Sequence, residues 1–360
     1  MKMFSFMYVM SIAFFARYLI VDEISMVDGD FFDKLESVAR AVKSSDKPFG
    51  GITLVLCGDF LQLPPISKDH GAKKKFCFQA STWTSCVGAT VELKEIFRQS
   101  DQRFVQILQN LRYGRCTPEM AEVLRKTSAN RLAVETTSSS SDRSDAEIVA
   151  TKLFTHNQDV DYTNQLHLKR LEKPLQTFDA VDSDAAHSKY ISSLCPAAPT
   201  NIQLCVGAQV MLTKNLSVHS GLVNGARGVV TGFDRSGGAA LPKIRFLSGM
   251  EYVVKPEKFP VKLSSGDVAF RRQLPLKLAW AISVHKSQGM TLDNVEMSLS
   301  RVFESGQVYV ALSRAKALES VRITDFDPAC VRANHEVVSW YKSMKEHSGL
   351  SSSSATSLRF

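Results

Sequence analysis

The sequence contains no C-x-x-C pair, and its seven cysteines are an odd number. A disulfide framework and a structural zinc site both need cysteines in pairs, so neither is indicated. The cysteines are scattered along the chain, at Cys57, Cys77, Cys86, Cys116, Cys195, Cys205 and Cys330. This distribution is typical of a protein kept in a reducing compartment.

A hydrophobic run long enough to span a membrane is also missing. The uncharged, mostly apolar segment Met3–Ala16 has 14 residues, whereas a spanning helix needs roughly 18 or more. A secretory signal is disfavoured because Phe14 and Ala16 form a poor small-x-small cleavage site, and a mitochondrial leader would carry more Arg and Ser. We therefore expect no membrane partner and interpret residues 1–18 as an atypical leader.

The chain also has no excess of acidic residues over basic ones. Its formal net charge is +8 and its pI is about 9.1. This balance suits a polyanionic partner, although many basic proteins carry such charge only for solubility. The apolar fraction of 44% and charged fraction of 22% are ordinary for a soluble globular protein. A chain of 360 residues can form two or three domains.

Two apolar runs near the start of the chain predict neighbouring strands. Leu19–Val21 and Ile52–Cys57 are continuously apolar, which is typical of strands covered on both faces of a parallel sheet. Between them, Asp28–Lys43 has apolar residues at helical spacing. A strand, a helix and a second strand in this order predict a parallel α/β sheet.

Acidic residues directly follow the first strand, at Asp22 and Glu23. Ligands of open α/β sheets bind at the carboxyl ends of the strands. In a nucleoside-triphosphate site, the first carboxylate would hold Mg²⁺ through its water shell and the second would orient the attacking water. The structural alternative is a strand-to-helix turn with an N-capping acid.

The second strand ends in a comparable way, with Gly58 and Asp59 forming a predicted tight turn at the same edge. Gln62 follows closely and could reach a phosphate or its water. Pro64 and Pro65 then stiffen the exit, and a plain turn stopped by prolines is the alternative reading. Two adjacent strands thus deliver polar groups to one edge of the sheet.

Composition divides the rest of the chain. Residues 134–147 are polar and rich in Ser, which predicts a solvated insertion without fixed structure. Short apolar runs separated by Gly, Asp, Ser and Pro predict a small β-barrel or meander further on. The predicted domains are a leader (1–18), a first α/β domain (19–127), a disordered insertion (128–147), a second α/β domain (148–220 and 271–345), a β insertion (221–270) and a disordered tail (346–360).

A resemblance joins these pieces. The runs "LIVDEISMVDGDFFDKLESVAR", "LVLCGDFLQLPP" and "LKEIFRQSDQRFVQILQNLRYG" resemble consecutive motifs of the Pif-family DNA helicases, which are related to the RecD branch of superfamily one. "GAQVMLTKN", "LVNGARGVV", "LAWAISVHKSQGMTLDNV" and "GQVYVALSRAKALESV" continue it in the family's order. The resemblance implies two RecA-like P-loop NTPase lobes, the first incomplete, with a small SH3-like β insertion in the second.

The resemblance also implies roles for individual residues at a nucleotide site. Glu23 would be the water-orienting base beside a magnesium-binding Asp22, and Gln62 would couple the phosphate state to DNA grip. Arg98 and Arg314 would contact the γ-phosphate from opposite lobes, a task that suits a guanidinium because it is always charged and binds phosphate bidentately. Taken alone, each arginine is more often a surface ion pair.

A second set of residues is implied at the DNA and at the turn facing the nucleotide. His285, Lys286 and Ser287 resemble the family's strand-gripping residues, and backbone contacts of this kind do not read sequence. Asn157 is expected near the nucleotide or the strand, and Gln288 and Gly289 on the nucleotide-facing turn. Taken alone, His285 is more often a structural histidine.

What the family resemblance implies for function is 5′-to-3′ unwinding of DNA driven by ATP and Mg²⁺, in telomere maintenance, repair and recombination. The expected partners are single-stranded DNA and DNA junctions or duplexes, the expected state is a monomer, and the expected compartment is the nucleus or the mitochondrion. A non-catalytic nucleic-acid-binding scaffold derived from a helicase is the alternative. A RecD-like or RNA-directed helicase ranks third.

One expected motif is not in the sequence. A phosphate-binding loop, G-x-x-x-x-G-K-[ST], should precede the first acidic strand, because its backbone N–H groups, Lys and hydroxyl hold the phosphates. The 360 residues contain no Gly-Lys dipeptide, and "GAKKKF" at Gly71 lacks the second glycine and hydroxyl. From this we predict an amino-terminally truncated helicase that hydrolyses ATP poorly.

Overall fold

The computed structural model describes residues 15–65, 75–132, 135–136, 147–183, 188–195, 197–263 and 268–350. Its α-helices in chain order are α1 (Gly29–Lys43), α2 (Trp83–Cys86), α3 (Gln102–Arg112), α4 (Pro118–Lys126), α5 (Asn157–Arg170), α6 (Ser188–Leu194), α7 (Gln307–Leu312) and α8 (His335–Leu350). Its first nine strands are β1 (Tyr18–Val21), β2 (Thr53–Leu56), β3 (Glu135–Thr136), β4 (Glu147–Ile148), β5 (Thr151–Phe154), β6 (Gln176–Asp179), β7 (Val181–Asp182), β8 (Asn201–Leu204) and β9 (Gln209–Leu212). The remaining strands are β10 (Arg227–Asp234), β11 (Leu241–Phe246), β12 (Glu251–Val253), β13 (Glu257–Lys262), β14 (Val268–Gln273), β15 (Leu276–Leu278), β16 (Ala281–Ser283), β17 (Val295–Ser298) and β18 (Val321–Asp325).

The described residues form two compact units. The first unit holds residues up to 129, together with 298–318 and 323 onward. The second unit holds residues 130–297 and 319–322. This division differs from the predicted domains, which placed all of 271–345 in the second α/β domain, because α7 packs against α3 within the first unit.

The first unit is built on the parallel pair β1 and β2, in register from Tyr18 opposite Thr53 to Val21 opposite Leu56. Helix α1 lies between them in the chain and begins at Asp28, whose carboxylate accepts hydrogen bonds from the backbone N–H groups of Asp30 and Phe31. Such a cap satisfies amide donors that the first turn of a helix leaves open. The predicted order of strand, helix and parallel strand is therefore present.

The prediction that both strands are buried on both faces is wrong. Tyr18 is 70% exposed, Ile20 69% and Val55 43%, and these side chains share one face of the β1–β2 pair. Only the other face is covered, by α1 and its neighbours. The edges of this pair also meet no other strand in the described ranges.

Aromatic packing forms the core of the first unit. The Phe32 ring on α1 lies 5.2 Å from that of Phe49 and 5.5 Å from that of Trp83. Phe60, just after β2, lies 5.2 Å from Trp340 of α8. Because large rings each remove much apolar area from water, this cluster fixes the exit of β2 against α8.

A further sheet, of the order β16-β5-β17-β18, lies mostly in the second unit, whose limits exclude Ser298 and residues 323–325. Strands β16 and β17 both run parallel to β5. Helix α5 follows β5 and packs beside β16, where the Asn164 side chain exchanges two hydrogen bonds with the Ala281 backbone. This arrangement is a second α/β layer of the kind that the sequence predicts.

The β insertion is larger than predicted. Its five-stranded antiparallel sheet, β12-β11-β10-β9-β15, extends from Gln209 to Leu278 and so exceeds residues 221–270 on both sides. Strands β13, β14 and β7 form a further sheet. The sequence reading missed β9 and β15 because their continuous apolar pattern resembles that of the α/β domain, whereas β9 is buried throughout against β10.

Several expectations fall outside the described residues or on their boundary. Residues 351–360, most of the leader and most of the Ser-rich segment lie outside the described residues. The predicted disordered tail began at 346, but α8 continues to Leu350. Within the described ranges, no helix combines the length and apolarity needed to cross a bilayer.

A buried ion pair joins β14 to β7 in the second unit. Arg271 on β14 is 1% exposed and donates Nε and Nη2 to the Asp182 carboxylate on β7, each at 2.7 Å. Ser188 Oγ donates to the same carboxylate, and Arg271 also donates to the Ala198 carbonyl. These hydrogen bonds from Arg271 lower the pKa of Asp182.

We expect Asp182→Asn to destabilise the second unit by about 3–5 kcal/mol at pH 7, since it leaves a buried guanidinium without its counter-charge. Urea unfolding measures this loss. Because the folded pKa of Asp182 is depressed, its stabilisation is fully present above the unfolded pKa and is lost as pH falls through the folded pKa, so wild type and variant should converge only at pH values below the ordinary pKa of an Asp. The exposed pair Lys243–Glu251 is the control, and Glu251→Gln should cost less than about 1 kcal/mol. Equal losses in the two variants would contradict the assignment.

Candidate functional site

The acidic end of β1 adopts an unusual backbone. Glu23 has φ 52° and ψ 45°, a left-handed conformation that non-glycine residues rarely adopt. The Asp22 carboxylate accepts the Glu23 N–H at 2.9 Å, and the Ile24 N–H donates to the Cys57 carbonyl at 2.9 Å. Strain of this kind persists where neighbouring structure enforces it and is common at functional sites.

Gly58 makes this turn possible. A Cβ at Gly58 would lie 2.9 Å from the Ile24 nitrogen, so only glycine fits between the ends of β1 and β2. Asp59 follows, and its carboxylate accepts the Leu61 N–H at 3.1 Å. The two strand ends are thus locked side by side, and the loop from Asp59 towards Gln62 starts at the edge that carries Asp22 and Glu23.

A second set of contacts fixes this loop. Arg112, at the end of α3, donates Nε and Nη2 to the two oxygens of Asp59, both at 2.9 Å. The Tyr341 hydroxyl donates to the same carboxylate at 3.2 Å, and the Arg112 guanidinium lies 5.4 and 5.3 Å from the ring centroids of Tyr113 and Tyr341. Asp59 therefore ties β2 to α3 and α8.

The two predicted arginines meet in the first unit. Arg98 Nη1 donates to the Ser313 carbonyl at 3.0 Å, directly beside Arg314. Arg314 is 3% exposed and donates Nε to the Val310 carbonyl at 2.9 Å and Nη2 to the Ser313 hydroxyl at 2.8 Å. No carboxylate among the described residues lies within salt-bridge distance of Arg314.

The electrostatics of Arg314 follow from this packing. Burial, and then the positive charge of Arg98, lower its pKa to about 10, while the charge of Glu23 acts in the opposite direction. At neutral pH the guanidinium is therefore still charged, but it is destabilised by a like charge and poor hydration. Burial raises the pKa of the neighbouring Tyr309 to about 12, so its hydroxyl stays protonated. Such a site favours an anion.

Gln62 lies against the segment that leads into α7. A Cβ on Gly306, which has φ 77°, would meet the Gln62 carbonyl at 2.5 Å and the Leu61 carbonyl at 2.6 Å. Ser305, Gly306 and Gln62 line one small pocket together. Oε1 of Gln62 is buried without a hydrogen-bond partner among the described residues, which indicates a group still to be supplied by a ligand or water.

The predicted DNA residues lie in the second unit, on a single helical turn after β16. Lys286 is exposed and His285 is half-buried. The Ser287 side chain is buried and its hydroxyl donates to the Val284 carbonyl at 2.8 Å, which closes the turn that presents Lys286. A contact of Ser287 with DNA stays a prediction.

The other residues predicted for ligand contact are also in the second unit. Asn157 is exposed at the first turn of α5. Gln288 ends the turn that begins at His285, and Gly289 has φ 76° and is exposed. The structure thus groups Asp22, Glu23, Gln62, Arg98 and Arg314 in one unit and Asn157, His285, Lys286, Ser287, Gln288 and Gly289 in the other.

Arg98 and Arg314 lie in the same compact unit, because residues 298–318 group with residues 12–129. The physical reason for this grouping is local: α7 packs on α3, and the carbonyls after α7 accept from Arg98 and its neighbour Gln99. The prediction that the two arginines come from opposite lobes stays a prediction.

Sequence reasoning did not single out four residues that lie beside these two groups, namely Gln99, Arg112, Gly306 and Lys277. Their spacing in the sequence alone does not indicate a role at a site. Lys277 on β15 is half-buried, and burial together with the charge of Lys286 lowers its pKa. A lysine inside an otherwise apolar run, "PLKLAWAIS", is the signal that could have indicated it.

Comparison with known proteins agrees with the geometry. Acidic residues at the carboxyl end of a parallel strand, as at Asp22 and Glu23 after β1, lie where α/β proteins bind their ligands. The model of the PIF1-like helicase family matches residues 9–122, and that of the DNA helicase Pif1 2B domain matches residues 193–233. The chain belongs to the Pif1-like helicase family.

Curated relatives carry the same description. The chain is 51% identical over 333 residues to the ATP-dependent DNA helicase PIF1 of Mus musculus, covering 92% of this chain and 49% of that protein. It is 48% identical over 333 residues to the Homo sapiens protein of that name, covering 92% and 50%. The chain therefore spans about half the length of the curated relatives it matches.

Solved structures show the same fold. The Pif1 helicase from Candida albicans is 34% identical, with a TM-score of 0.80, covering 94% of this chain and 80% of that one. A Bacteroides Pif1 helicase in complex with ADP-AlF3 and ssDNA is 29% identical, with a TM-score of 0.68, covering 94% and 78%. The predicted fold class, two RecA-like α/β lobes with a small β insertion, is confirmed.

The residues present fit a nucleotide in two respects. Family membership implies the use of ATP, and the Arg98–Arg314 pair, destabilised by mutual repulsion, suits a phosphate group. Asp22 is an exposed carboxylate at the same edge. No cluster of three or more His, Cys, Asp or Glu side chains in the described ranges could hold a metal, which is compatible with Mg²⁺ because that ion uses few protein ligands beside phosphates and water.

Gly306→Ala should destabilise the first unit by about 2–4 kcal/mol, because it adds a clash with two backbone carbonyls to the cost of a left-handed alanine. Gly51→Ala is the matched control, since Gly51 has φ 84° and its new Cβ would meet only the Lys47 side chain, at 3.7 Å. It should cost about 1–2 kcal/mol. Urea unfolding followed by tryptophan fluorescence measures both losses, and equal losses would show that the close approach to Gln62 is not real.

Proposed function

We propose that this protein is the motor region of an ATP-dependent DNA helicase, which couples ATP hydrolysis to 5′-to-3′ unwinding of DNA. The observation that supports it most directly is the buried Arg314, which donates to the Val310 carbonyl and the Ser313 hydroxyl beside Arg98 and feels the charge of Glu23. The likeness to helicases over more than nine tenths of this chain supports the same function. Telomere maintenance, repair and recombination in the nucleus or the mitochondrion are the processes that suit such a motor.

Each residue of the first unit has a role in this proposal. Glu23 orients the attacking water from its left-handed backbone position at the end of β1. Asp22 would be a magnesium ligand through water. Arg98 and Arg314 stabilise the negative charge that develops on the transferred phosphoryl group. Gln62 lies against the segment before α7, at Gly306. It would couple the charge on the phosphate to the position of that segment.

The second unit supplies the contact with DNA in this proposal. Lys286 is exposed on the turn after β16, and the half-buried Lys277 adds positive charge near it. Exposed lysines bind phosphates without reading bases, which suits a motor that must move along any sequence. His285 and Asn157 border the same track, and Gln288 and Gly289 link it to the nucleotide. We propose a monomer acting on single-stranded DNA and on forks.

The nucleotide roles predict a separation of binding from turnover. In a form that also carries a phosphate-binding loop, Glu23→Gln should lower ATP hydrolysis by about 10² or more and leave nucleotide affinity within a few-fold, since it removes the base but not a phosphate contact. Arg314→Lys should lower hydrolysis by about 10³, because an ammonium cannot bind phosphate bidentately. Hydrolysis with and without single-stranded DNA is the measurement.

Binding of ATP is measured first, because the 360 residues contain no Gly-Lys dipeptide and therefore no phosphate-binding loop of the expected form. Displacement of a fluorescent ATP analogue reports it, and Arg103→Lys, on the exposed side of α3, is the control with unchanged values. Wild-type rates in both site variants would refute the roles. DNA binding that depends on salt but not on any nucleotide would favour the scaffold alternative.

The DNA roles predict a contrast between neighbours in the chain. Lys286→Ala should weaken single-stranded DNA binding about equally for all sequences and reduce the slope of log affinity against log salt by about 1. Ser287→Ala should leave DNA affinity unchanged and lower thermal stability, because its hydroxyl is bonded internally. Fluorescence anisotropy with labelled oligonucleotides measures both, and Lys169→Ala, exposed on α5, is the control. A larger effect of Ser287→Ala than of Lys286→Ala on affinity would overturn the assignment.

A further inference from the structure

Gln99 holds the backbone on both sides of Arg314. Its Nε2 atom donates to the Ala315 carbonyl at 2.7 Å and to the Ser313 carbonyl at 3.1 Å. The two hydrogens of one amide nitrogen are therefore both used. Gln99 is 8% exposed, so water does not compete effectively for these carbonyls.

The contact joins the two arginine-bearing segments. Arg98 and Gln99 are consecutive, and both donate to the Ser313 carbonyl. These carbonyls follow the end of α7, where a helix leaves its last acceptors without partners. Gln99 satisfies them in place of solvent and so ties the segment before α3 to the segment after α7.

The direction of the Arg314 guanidinium depends on that backbone. Its Nε and Nη2 atoms donate to Val310 and Ser313, within the same short stretch of chain. Arg98 and Arg314 repel each other, so a restraint is needed to keep both guanidinium groups at one place. Gln99 provides it without adding a charge of its own.

We propose that Gln99 is a positioning residue, which sets the Arg314 guanidinium beside Arg98 for recognition of the terminal phosphate of a nucleoside triphosphate. This inference rests on the proposed function. In this inference Gln99 contacts neither the nucleotide nor the attacking water. It acts only through the backbone around Arg314. Its expected signature is a preference for triphosphate over diphosphate that depends on Gln99.

The test compares Gln99→Leu with Gln106→Leu, an exposed glutamine on α3. Displacement of a fluorescent ATP analogue by ATP and by ADP gives the affinity ratio, and thermal unfolding is recorded in parallel. Gln99→Leu should lower the ATP-over-ADP ratio about tenfold, by the loss of one well-placed charged contact, whereas Gln106→Leu should leave it unchanged.

A second variant keeps the inference testable if the leucine variant does not fold. Gln99→Glu preserves the shape, removes both donors and places an acid beside the two guanidinium groups, so it should lower the ratio at least as much. A stability loss with an unchanged ratio would show that Gln99 only caps α7, which overturns the inference. A wild-type chain without any preference for ATP would instead refute the proposed function, and the inference with it.

Discussion

The structure of the first unit depends on keeping two like charges together in a poorly hydrated place. Arg98 and Arg314 meet at the Ser313 carbonyl, and burial with mutual repulsion lowers the Arg314 pKa to about 10. The hydrogen bonds of the Arg314 guanidinium run to neutral oxygens, the Val310 carbonyl and the Ser313 hydroxyl. An anion bound beside Arg314 would therefore offset the cost of burying its charge.

Close backbone approach is what brings the motifs to that pair. Gly58 lets the end of β2 touch the turn at Glu23, and Gly306 lets the segment before α7 touch the loop at Gln62. The Asp59–Arg112 ion pair then clamps the same loop to α3. Rigid contacts of this kind allow a small change at one motif to move another, since packed backbones shift together.

Motif order in the sequence was enough to predict the fold class, because apolar periodicity and the ordered runs specify a parallel α/β core. It was not enough for burial or for domain limits. Ile20 reads as core but lies on an open face, and β9 reads as α/β core but belongs to the β insertion. Ser287 reads as a donor to DNA, yet its hydroxyl is used internally. Gln99 was missed because a backbone contact across more than 200 residues leaves no local pattern.

The open face of the β1–β2 pair has a practical consequence for handling the protein. Tyr18, Ile20 and Val55 form an apolar surface on a two-stranded parallel sheet whose edges meet no other strand in the described ranges. Extended segments of other molecules can pair with such an edge, and salts that are excluded from protein surfaces strengthen the association. Self-association should therefore rise with concentration and with ammonium sulfate, and a dye that fluoresces on apolar surfaces should bind the folded chain.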